Sequence, residues 1–450
     1  MKKFCTCAAA LMLAIFFTSC TTGNSTPSVS PTASATDDAA ATPSDSPTPE
    51  PRTLTVLTFN QDLQPQLNEF TRFYPDVTMN VQYFDYNQYK ETFATEMMSG
   101  SAPDVIETIG YYNDYGERGL LTDFKTLMAN DADFDASQYI SNVLKSTEDT
   151  NGSMYAFPFM FYYEGFMSVN TSAPASIISD FTSRDRISLE DMMQTYASLS
   201  GEGGLEFLND FYTEGWMFNY VYPAYIDYAG KTCDFTNPAF IQTMKYMKMY
   251  LKPMPSSPTV YNCSLGFMDD GEAAKQYTYN WNAYSSPQYF LPFDSNHYEH
   301  TIPLTDKNGN VLINAHTLSI YNGSPNKDIA WELTKYLTGN TDKQGSLANQ
   351  YWSFPVTVTA FANIMVYRLG WAVNKAAGQD EYLTDAPTAK QNALAAFTAI
   401  NNMPMVEASG QIRSGGSIVD PEFSNFISGA TTAEQAAANI QNKVELYLNE

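Results

Sequence analysis

The sequence predicts an α/β fold with a parallel β-sheet, and two observations support this prediction. Patterns typical of strands and of helices alternate along the chain from residue 54 onward, which is the order expected when crossover helices join parallel strands. The chain has 450 residues, of which 44% are hydrophobic, so it can fill a sizeable core. We therefore expect parallel strands that are covered by helices.

The alternation is clearest at the start of the folded part. Leu63, Leu67 and Phe70 recur at helical spacing, whereas Val77 and Met79 begin a run in which apolar and polar residues alternate. The predicted elements are a strand at 54–59, a helix at 63–74, a strand at 77–83, a helix at 86–97 and a strand at 105–109. This succession predicts three neighbouring parallel strands.

A hairpin and two helices are predicted later in the chain. The segment Asp306–Gly309 is typical of a turn between two antiparallel strands. Ser324 is a suitable N-cap for a helix that ends at Gly339. Thr431 and Glu434 have the spacing of a capping box, which predicts a long amphipathic helix at the end of the chain.

Composition and charge exclude one broad class of function. Lys and Arg total 24 against 49 Asp and Glu, which gives a formal net charge of −25. Nucleic-acid binding depends on cationic groups that replace counterions, so this acidic chain is unsuited to it. Aromatic residues make up 14% of the chain, and this surplus is available either for core packing or for stacking on a flat ligand.

The first fifty residues predict an export signal and a tether. Lys2 and Lys3 precede an apolar stretch at 4–17, which is too short for a transmembrane helix. The small residues directly before Cys20 resemble a bacterial lipoprotein signal, in which this cysteine is acylated; an ordinary secretory signal is the alternative. We expect a signal peptide at 1–20 and a disordered linker, rich in Ser, Thr and Pro, at 21–52.

The remaining cysteines, Cys233 and Cys263, do not belong to a CxxC pair. Either they form a disulfide or both remain thiols, and the sequence leaves these alternatives open. His297 and His300 fall in a loop-like stretch rather than on a helix face. We therefore predict no metal site, and nothing in the sequence indicates a cofactor.

The loops after two predicted strands carry polar and aromatic residues. Asn60 and Gln61 follow the first strand, and Tyr111 and Tyr112 follow the third. In open parallel sheets, ligands bind beyond the carboxyl ends of the strands. We therefore expect these four residues to face a ligand crevice.

Seven segments of the chain occur in the order that one protein family shows. They are YPDVTMNVQYF, MMSGSAPDVIETIG, RGLLTDF, NGSMYAFPFMFYYEGFMSVN, DYAGKTCDFTNPAFIQTMKYMK, SPNKDIAWELTKYL and SFPVTVTAF. Together they resemble the extracellular solute-binding proteins of ABC importers, in the branch that takes up sugars and oligosaccharides. The resemblance covers nearly all of the mature chain.

The resemblance implies a periplasmic-binding-protein-like fold, in which a hinge joins two doubly wound α/β lobes and the ligand cleft lies between them. The first lobe would comprise residues 53–165 with approximately 300–345, and the second lobe residues 166–299 with approximately 346–450. Closure of the lobes would be a hinge motion, which needs a ligand that touches both of them.

On this resemblance, we expect a substrate-binding lipoprotein that captures a carbohydrate, taken to be an oligosaccharide, and delivers it to the permease subunits of an ABC transporter. A lipidated Cys20 would anchor it to the outer face of the cell membrane. The resemblance also implies ligand contacts from the hinge and the second lobe, namely Tyr163, Glu164, Trp216, Trp281, Asn282 and Trp352.

Other classes of function stay open as alternatives. The solute could be a peptide or a polyamine rather than a sugar. A glycoside hydrolase would use two carboxylates, with Asp62, Asp114 and Glu164 as the candidates. However, the chain has no GxSxG, HExxH or phosphate-loop motif, and we expect no catalytic residues. A surface scaffold without a ligand is the last alternative.

Overall fold

The computed structural model of the chain describes most of one compact unit, Glu50–Glu450. The described residues are 50–108, 110, 112–170, 175–191, 193–194, 207–209, 218, 221–253, 264–265, 279–282, 298–351, 353–376, 386–407 and 416–449. The predicted signal peptide at 1–20, with Cys20, and nearly all of the predicted linker lie outside them. None of the helices within the described residues is long and apolar enough to cross a membrane.

Helices and strands interchange along the whole described chain. The strands are β1 Arg52–Thr58, β2 Val77–Tyr83, β3 Val105–Thr108, β4 Phe157–Tyr163, β5 Phe166–Asn170, β6 Ile187–Ser188, β7 Phe207–Asn209, β8 Ile226–Asp227, β9 Thr232–Cys233, β10 Leu251–Pro253, β11 Ser264–Leu265, β12 Tyr279–Asn282, β13 Tyr298–Thr305, β14 Val311–Ile320, β15 Phe354–Pro355 and β16 Met405–Glu407. The helices are α1 Gln64–Phe73, α2 Tyr86–Ser99, α3 Tyr112–Glu117, α4 Phe124–Asn130, α5 Ser141–Ser146, α6 Ala175–Thr182, α7 Pro238–Tyr250, α8 Lys327–Gly339, α9 Thr341–Gln350, α10 Val358–Ala376, α11 Ala386–Asn401, α12 Gly416–Ser428 and α13 Ala433–Asn449. Short 3-10 helices occupy Gln61–Leu63, Ala136–Gln138 and Tyr222–Tyr225.

Most strands belong to a single 12-stranded sheet, whose longest path runs β11-β12-β5-β13-β14-β3-β1-β2. β1 lies between β2 and β3 and is parallel to both. β14 is antiparallel to β3 and to β4, and it is parallel to β16. β13 and β14 therefore extend the parallel part of the sheet with antiparallel strands, so the sheet is mixed.

The predicted start of the fold is confirmed. The predicted strands and helices between residues 54 and 109 correspond to β1, α1, β2, α2 and β3, with boundaries that shift by one or two residues. Gly100 has a φ of 74°, as a residue that ends a helix in the left-handed conformation should. Ile109, at the predicted end of the third strand, lies outside the described residues.

The hairpin is also confirmed, whereas two helix starts are displaced. β13 pairs with β14 at Thr305 and Val311, next to the predicted turn. α8 begins at Lys327 and its N-cap is Asn326, so Ser324 precedes the cap. At the last helix, the main chain and side chain of Thr432 exchange hydrogen bonds with Gln435, so the capping box lies one residue later than predicted.

The buried apolar residues among those described form three clusters. The first cluster contains residues of β1, β4 and α8, together with α9, α10 and α11. The second cluster contains residues of α6, α7, α12 and α13, with Tyr222, Tyr225 and Leu304. The smaller third cluster joins α2 to Tyr112 and Leu121.

The boundaries of the two predicted lobes stay a prediction. Buried residues of the last helix, α13, belong to the second cluster. Leu347, Phe361 and Phe397, however, pack into the first cluster, although the predicted division placed residues 346–450 in the second lobe. Pairing of β15 with β4 brings this stretch to the first cluster.

Candidate functional site

A cavity of about 210 Å³ is lined by segments that pack against different apolar clusters. One side comes from Tyr112 and Asn113 of α3 and from Ser146 to Thr150, at and after the end of α5. The other side comes from residues 223–228, which lie between buried residues of the second cluster. The remaining lining residues belong to the turn between β13 and β14 and to β16. Segments packed on the first and third clusters form one half of the folded unit and segments packed on the second cluster form the other, so both halves border the cavity.

The charged lining is acidic. Five carboxylates border the cavity, and among the described lining residues none is a Lys, Arg or His; the five are Glu148, Asp149, Asp227, Asp306 and Glu407. Carboxylates accept hydrogen bonds and carry negative charge. The lining can therefore bind hydroxyl or amine hydrogens of a polar solute.

Three of these acids open turns that share the pattern Asp-x-x-Gly. Asp149 Oδ1 accepts hydrogen bonds from the N–H groups of Asn151 and Ser153, each at 2.8 Å. Asp306 Oδ1 accepts from the N–H groups two and four residues later, at 2.9 and 2.8 Å. Asp at the first position and Gly at the fourth are typical of such turns. The turns therefore hold these carboxyl groups in place at the cavity.

The Gly residues of two of the turns have left-handed backbones. Gly152 and Gly309 have φ values of 82° and 81°, which a residue with a Cβ adopts only at a cost. In the third turn, Asp227 Oδ1 accepts a hydrogen bond from Gly230 N–H at 2.9 Å. Local sequence thus determines each turn, and the fold brings the three turns to one cavity.

Glu407 is held at the cavity by contacts from two elements. Its side chain is completely buried, and its Oε2 accepts a hydrogen bond from Tyr112 OH at 3.0 Å. Its Oε1 accepts from the N–H of Ala315 in β14 at 3.3 Å. These contacts connect α3, β14 and β16, so Glu407 ties the α3 side of the cavity to the main sheet.

Asn113 has unused hydrogen-bonding capacity at the cavity. The residue is 7% exposed, and its Oδ1 has no hydrogen-bond partner among the described residues. A buried acceptor without a donor destabilises a protein by about 1–3 kcal/mol. A bound solute that donates a hydrogen bond to Oδ1 would remove this penalty.

A second buried polar group lies at the carboxyl ends of β1 and β3. Burial raises the pKa of Glu107 to about 7, while hydrogen bonds from Thr58 and Tyr351 lower it. Thr58 Oγ1 donates to Glu107 Oε2, and Tyr351 OH lies 3.5 Å from Oε1. Burial also lowers the pKa of His316 to about 4, and its ring lies 4.7 Å from that of Tyr351. These groups lie in the interior and do not border the cavity.

The residues predicted at the strand ends occupy different environments. Asn60 follows β1 and caps the 3-10 helix there, with Oδ1 accepting from Asp62 N–H at 2.9 Å, and Gln61 is exposed. Neither borders the cavity. Tyr112 does border it, whereas Tyr111 lies outside the described residues. Contact of these residues with a ligand stays a prediction.

Tyr163 and Glu164 are buried. The ring of Tyr163 lies 5.2 Å from that of Phe166 and 5.6 Å from that of Phe397, and its OH donates to Asn401 Oδ1 at 2.5 Å. Because the Tyr163 side chain is fully buried, it offers no face to a ligand in this conformation. Glu164 is 4% exposed, and its N–H donates to the carbonyl of Leu312 at 2.9 Å.

Two of the three tryptophans predicted to contact a ligand, Trp216 and Trp352, lie outside the described residues. Trp281 and Asn282 lie in β12, where their backbones pair with residues of β5 and β11. Cys263 also lies outside the described residues, so the disulfide question stays open. Burial raises the pKa of the Cys233 thiol to about 11.

The sequence reasoning missed the residues that line the cavity, except Tyr112. One signal was available, because the pattern Asp-x-x-Gly recurs at Asp149, Asp227 and Asp306. Each occurrence predicts a turn by itself. Their meeting at one cavity depends on segments far apart in sequence, so no local pattern could indicate it.

Comparisons with known proteins agree with this architecture. A model of the family described as bacterial extracellular solute-binding protein matches residues 58–344. No curated protein sequence matches the chain. Similar solved structures include the sugar-binding protein MalE of Xanthomonas citri, with 14% identity and a TM-score of 0.56 over 88% of this chain and 98% of that one.

Two further structures are similar over the same share of this chain. An ABC substrate-binding protein of Listeria monocytogenes, in complex with cycloalternan, has 15% identity and a TM-score of 0.53, with 88% of this chain and 98% of that one covered. The GacH receptor of Streptomyces glaucescens, described unliganded and with acarbose, has 16% identity and a TM-score of 0.52, again over 88% and 98%. These similarities show the periplasmic-binding-protein-like fold that the sequence predicted.

Proposed function

The chain belongs to the family of bacterial extracellular solute-binding proteins, and we propose that it captures a carbohydrate in the cavity described above and delivers it to the permease of an ABC importer. The family match confirms the resemblance found in the seven sequence segments. Proteins of this family bind solutes outside the cytoplasm for transporters and are typically not enzymes.

One observation carries the proposal, namely the cavity bordered by segments from both halves of the unit. Tyr112, Asn113 and Asp149 come from one side, and Asp227 and Tyr228 come from the other. A ligand that contacts both sides favours their approach, because it gains affinity only when both are close. Such coupling is what a binding protein needs to signal its loaded state.

The chemistry of the lining favours a carbohydrate. Carboxylates and amides can pair with the hydroxyl groups of a sugar, and the rings of Tyr112 and Tyr228 are the aromatic contribution to the described lining. Of the three similar structures named above, one is described as a sugar-binding protein and the other two are described in complex with cycloalternan or with acarbose, which supports the same class. The cavity is smaller than the roughly 300–1,000 Å³ of sites for drug-sized ligands, so we expect it to hold a short saccharide.

The test is a thermal-unfolding screen of the purified protein against mono- and oligosaccharides, with peptides and polyamines as alternative solutes. A ligand at one hundred times its Kd should stabilise the protein by about 2.7 kcal/mol. Isothermal titration calorimetry then gives the Kd of each hit. Stabilisation by peptides alone would contradict the carbohydrate proposal.

The same screen separates binding from catalysis. We propose that the protein releases its ligand unchanged, so chromatography of the ligand after prolonged incubation should recover it intact. Hydrolysis of a glycoside that is lost on removal of a cavity carboxylate would favour the glycoside hydrolase alternative.

We also propose that Cys20 is acylated and anchors the protein to the cell membrane. The proposal rests on the residues around Cys20 and on the Ser-, Thr- and Pro-rich segment that follows. In cells that export the protein, it should sediment with membranes and carry the mass of a lipid. The variant Cys20→Ser should lose both properties, and retention of the lipid mass would contradict this assignment.

A further inference from the structure

The charge around the cavity narrows the class of solute. Among the described residues, no ion pair is formed by Asp149, Asp227 or Asp306, and Glu148 is paired with Lys125. Two cations lie at the turn that Asp306 opens: Arg186 Nη1 donates to the carbonyl of Gly309 at 2.9 Å, and Lys307 Nζ lies 4.5 Å from the centre of the Tyr225 ring. Negative charge therefore exceeds positive charge at the cavity, and like charges in a partly enclosed site repel one another.

The hydrogen bonds within the lining likewise favour a ligand that donates hydrogen bonds. The hydroxyl of Ser146 donates to the carbonyl of Val143 at 2.7 Å, and the Tyr112 hydroxyl donates to Glu407. Asn310 Nδ2 donates to Asp306 Oδ2 at 2.9 Å. Three donors of the lining are thus engaged within the protein, whereas Asn113 Oδ1 has no partner among the described residues and the carboxylate oxygens, with two lone pairs each, can accept further hydrogen bonds.

Asn113 is the observation that points to a ligand independently of the acids. It is more than nine-tenths buried, it borders the cavity, and its Oδ1 has no hydrogen-bond partner among the described residues. Water or solute must supply a donor there to offset the loss of hydration. The site therefore favours a ligand that has more hydrogen-bond donors than acceptors.

We propose that the cavity selects a saccharide that carries a protonated amine, that is, an amino sugar whose amine is free rather than acylated. This inference rests on the proposed function and specifies its solute. An ammonium group supplies three donors and no acceptor, whereas a sugar hydroxyl supplies one donor and also accepts. The ammonium charge additionally offsets the repulsion among Asp149, Asp227 and Asp306.

The decisive experiment compares two disaccharides that differ only at the C2 substituents. The β-1,4-linked dimer of glucosamine carries an amine on each ring, and cellobiose carries a hydroxyl at the same positions. Spermidine serves as an amine without a sugar ring. Calorimetry with the unchanged protein should show binding of the glucosamine dimer at least about tenfold tighter than that of cellobiose. The preference should shrink as salt screens the acids.

Variants locate the preference at the acids. Asp227→Asn and Asp149→Asn retain Oδ1, and with it the turn hydrogen bonds, but remove one charge from each side of the cavity. Each should weaken binding of the glucosamine dimer by about tenfold more than it weakens binding of cellobiose, because both sugars lose an acceptor whereas only the dimer also loses a partner for its charge. The matched control is Asp133→Asn, because Asp133 is exposed and does not border the cavity.

The outcomes separate this inference from the proposed function. Equal binding of both disaccharides overturns the amine preference and leaves carbohydrate capture intact. Binding of spermidine without either disaccharide overturns carbohydrate as the solute class, and the amino sugar with it. Binding of none of the three overturns both. If a variant fails to fold, the preference measured with the unchanged protein still decides the inference.

Discussion

The interior around β4 and the cavity beside α3 use different residues for different purposes. In the interior, the rings of Phe161 and Tyr163 lie 5.4 Å apart, and Phe354 and Phe397 pack against Tyr163 at 5.6 Å each. The described lining of the cavity instead contains five carboxylates and two tyrosines. Aromatic residues thus concentrate in the core, and acids concentrate at the opening.

The difference bears on how an aromatic surplus should be interpreted. The sequence left the 14% of aromatic residues divided between core packing and stacking on a ligand. In the described part of the chain, the first cluster takes the largest share of the buried rings, including those of Phe157, Phe159 and Trp331. Composition therefore indicates that such residues are available, whereas contacts decide which of them meet solvent or ligand.

The largest expected effect comes from the aromatic interior. Tyr163→Ala should lower the free energy of unfolding by about 3–5 kcal/mol, because it leaves a cavity among packed rings. Urea unfolding measures the change. Tyr83→Ala is the control, since Tyr83 is 44% exposed and its change should stay near 0.5 kcal/mol or below. A small loss of stability in Tyr163→Ala would contradict the burial of this ring in the core and would support its predicted contact with a ligand.

A smaller loss is expected where the interior meets the cavity. Tyr112→Phe removes the hydrogen bond to the buried carboxylate of Glu407, which should lower the free energy of unfolding by about 1.5–3 kcal/mol. Tyr74→Phe is the control, because Tyr74 bonds a partly exposed carboxylate, that of Glu332, for which about 0.5–1 kcal/mol is expected. Equal losses would mean that the Tyr112–Glu407 contact contributes no more than a surface one.

Replacement of the Glu190 carboxyl group is expected to raise the free energy of unfolding. This carboxyl group is buried with no hydrogen-bond partner from another residue among those described, and burial with repulsion from Asp306 raises its pKa to about 7, against the attraction of Lys307. Between pH of about 4.5 and 7 the folded state binds more protons than the unfolded state, so this group makes stability fall as pH rises.

Glu190→Gln should therefore raise the free energy of unfolding at pH 8 by about 1–2 kcal/mol and flatten its decline between pH 5 and 7. Glu107 contributes a decline of the same sign in both proteins. His316 acts oppositely, because its pKa is lowered to about 4 and its contribution is lost as pH falls. Chemical unfolding at several pH values measures the slopes, and an unchanged slope would contradict the assignment to Glu190.

The smallest effect on stability is expected at the cavity itself. Asp227 is exposed, and the variant Asp227→Asn retains the Oδ1 that accepts from Gly230. The free energy of unfolding should change by no more than about 0.5 kcal/mol. A large loss would show that the cavity acids stabilise the fold, and the contrast between interior and cavity would then disappear.

Local patterns predicted the start of the fold well and the site poorly. The spacing of apolar residues predicts β1 to β3 and the helices between them, and Pro75 and Gly100 mark where the two helices end. Both signals act within a few residues. The capping boxes and N-caps shifted by one or two residues because neighbouring polar residues, such as Thr431 and Thr432, can serve equally well. Tyr112, which was expected to face a ligand because it follows a strand, borders the cavity, and its contact with a ligand stays a prediction.

The sequence by itself determined the family, the alternation of strands and helices, and each Asp-x-x-Gly turn, because these depend on residues close together in the chain. Only the tertiary structure decided that Asp149, Asp227 and Asp306 border one cavity and that Tyr163 is buried in the core. Those placements depend on the pairing of β13, β14 and β16 and on the packing of α10 and α11. Apart from the β13–β14 hairpin, these contacts join segments far apart in the sequence, and their energies depend on which side chains the folded chain brings together.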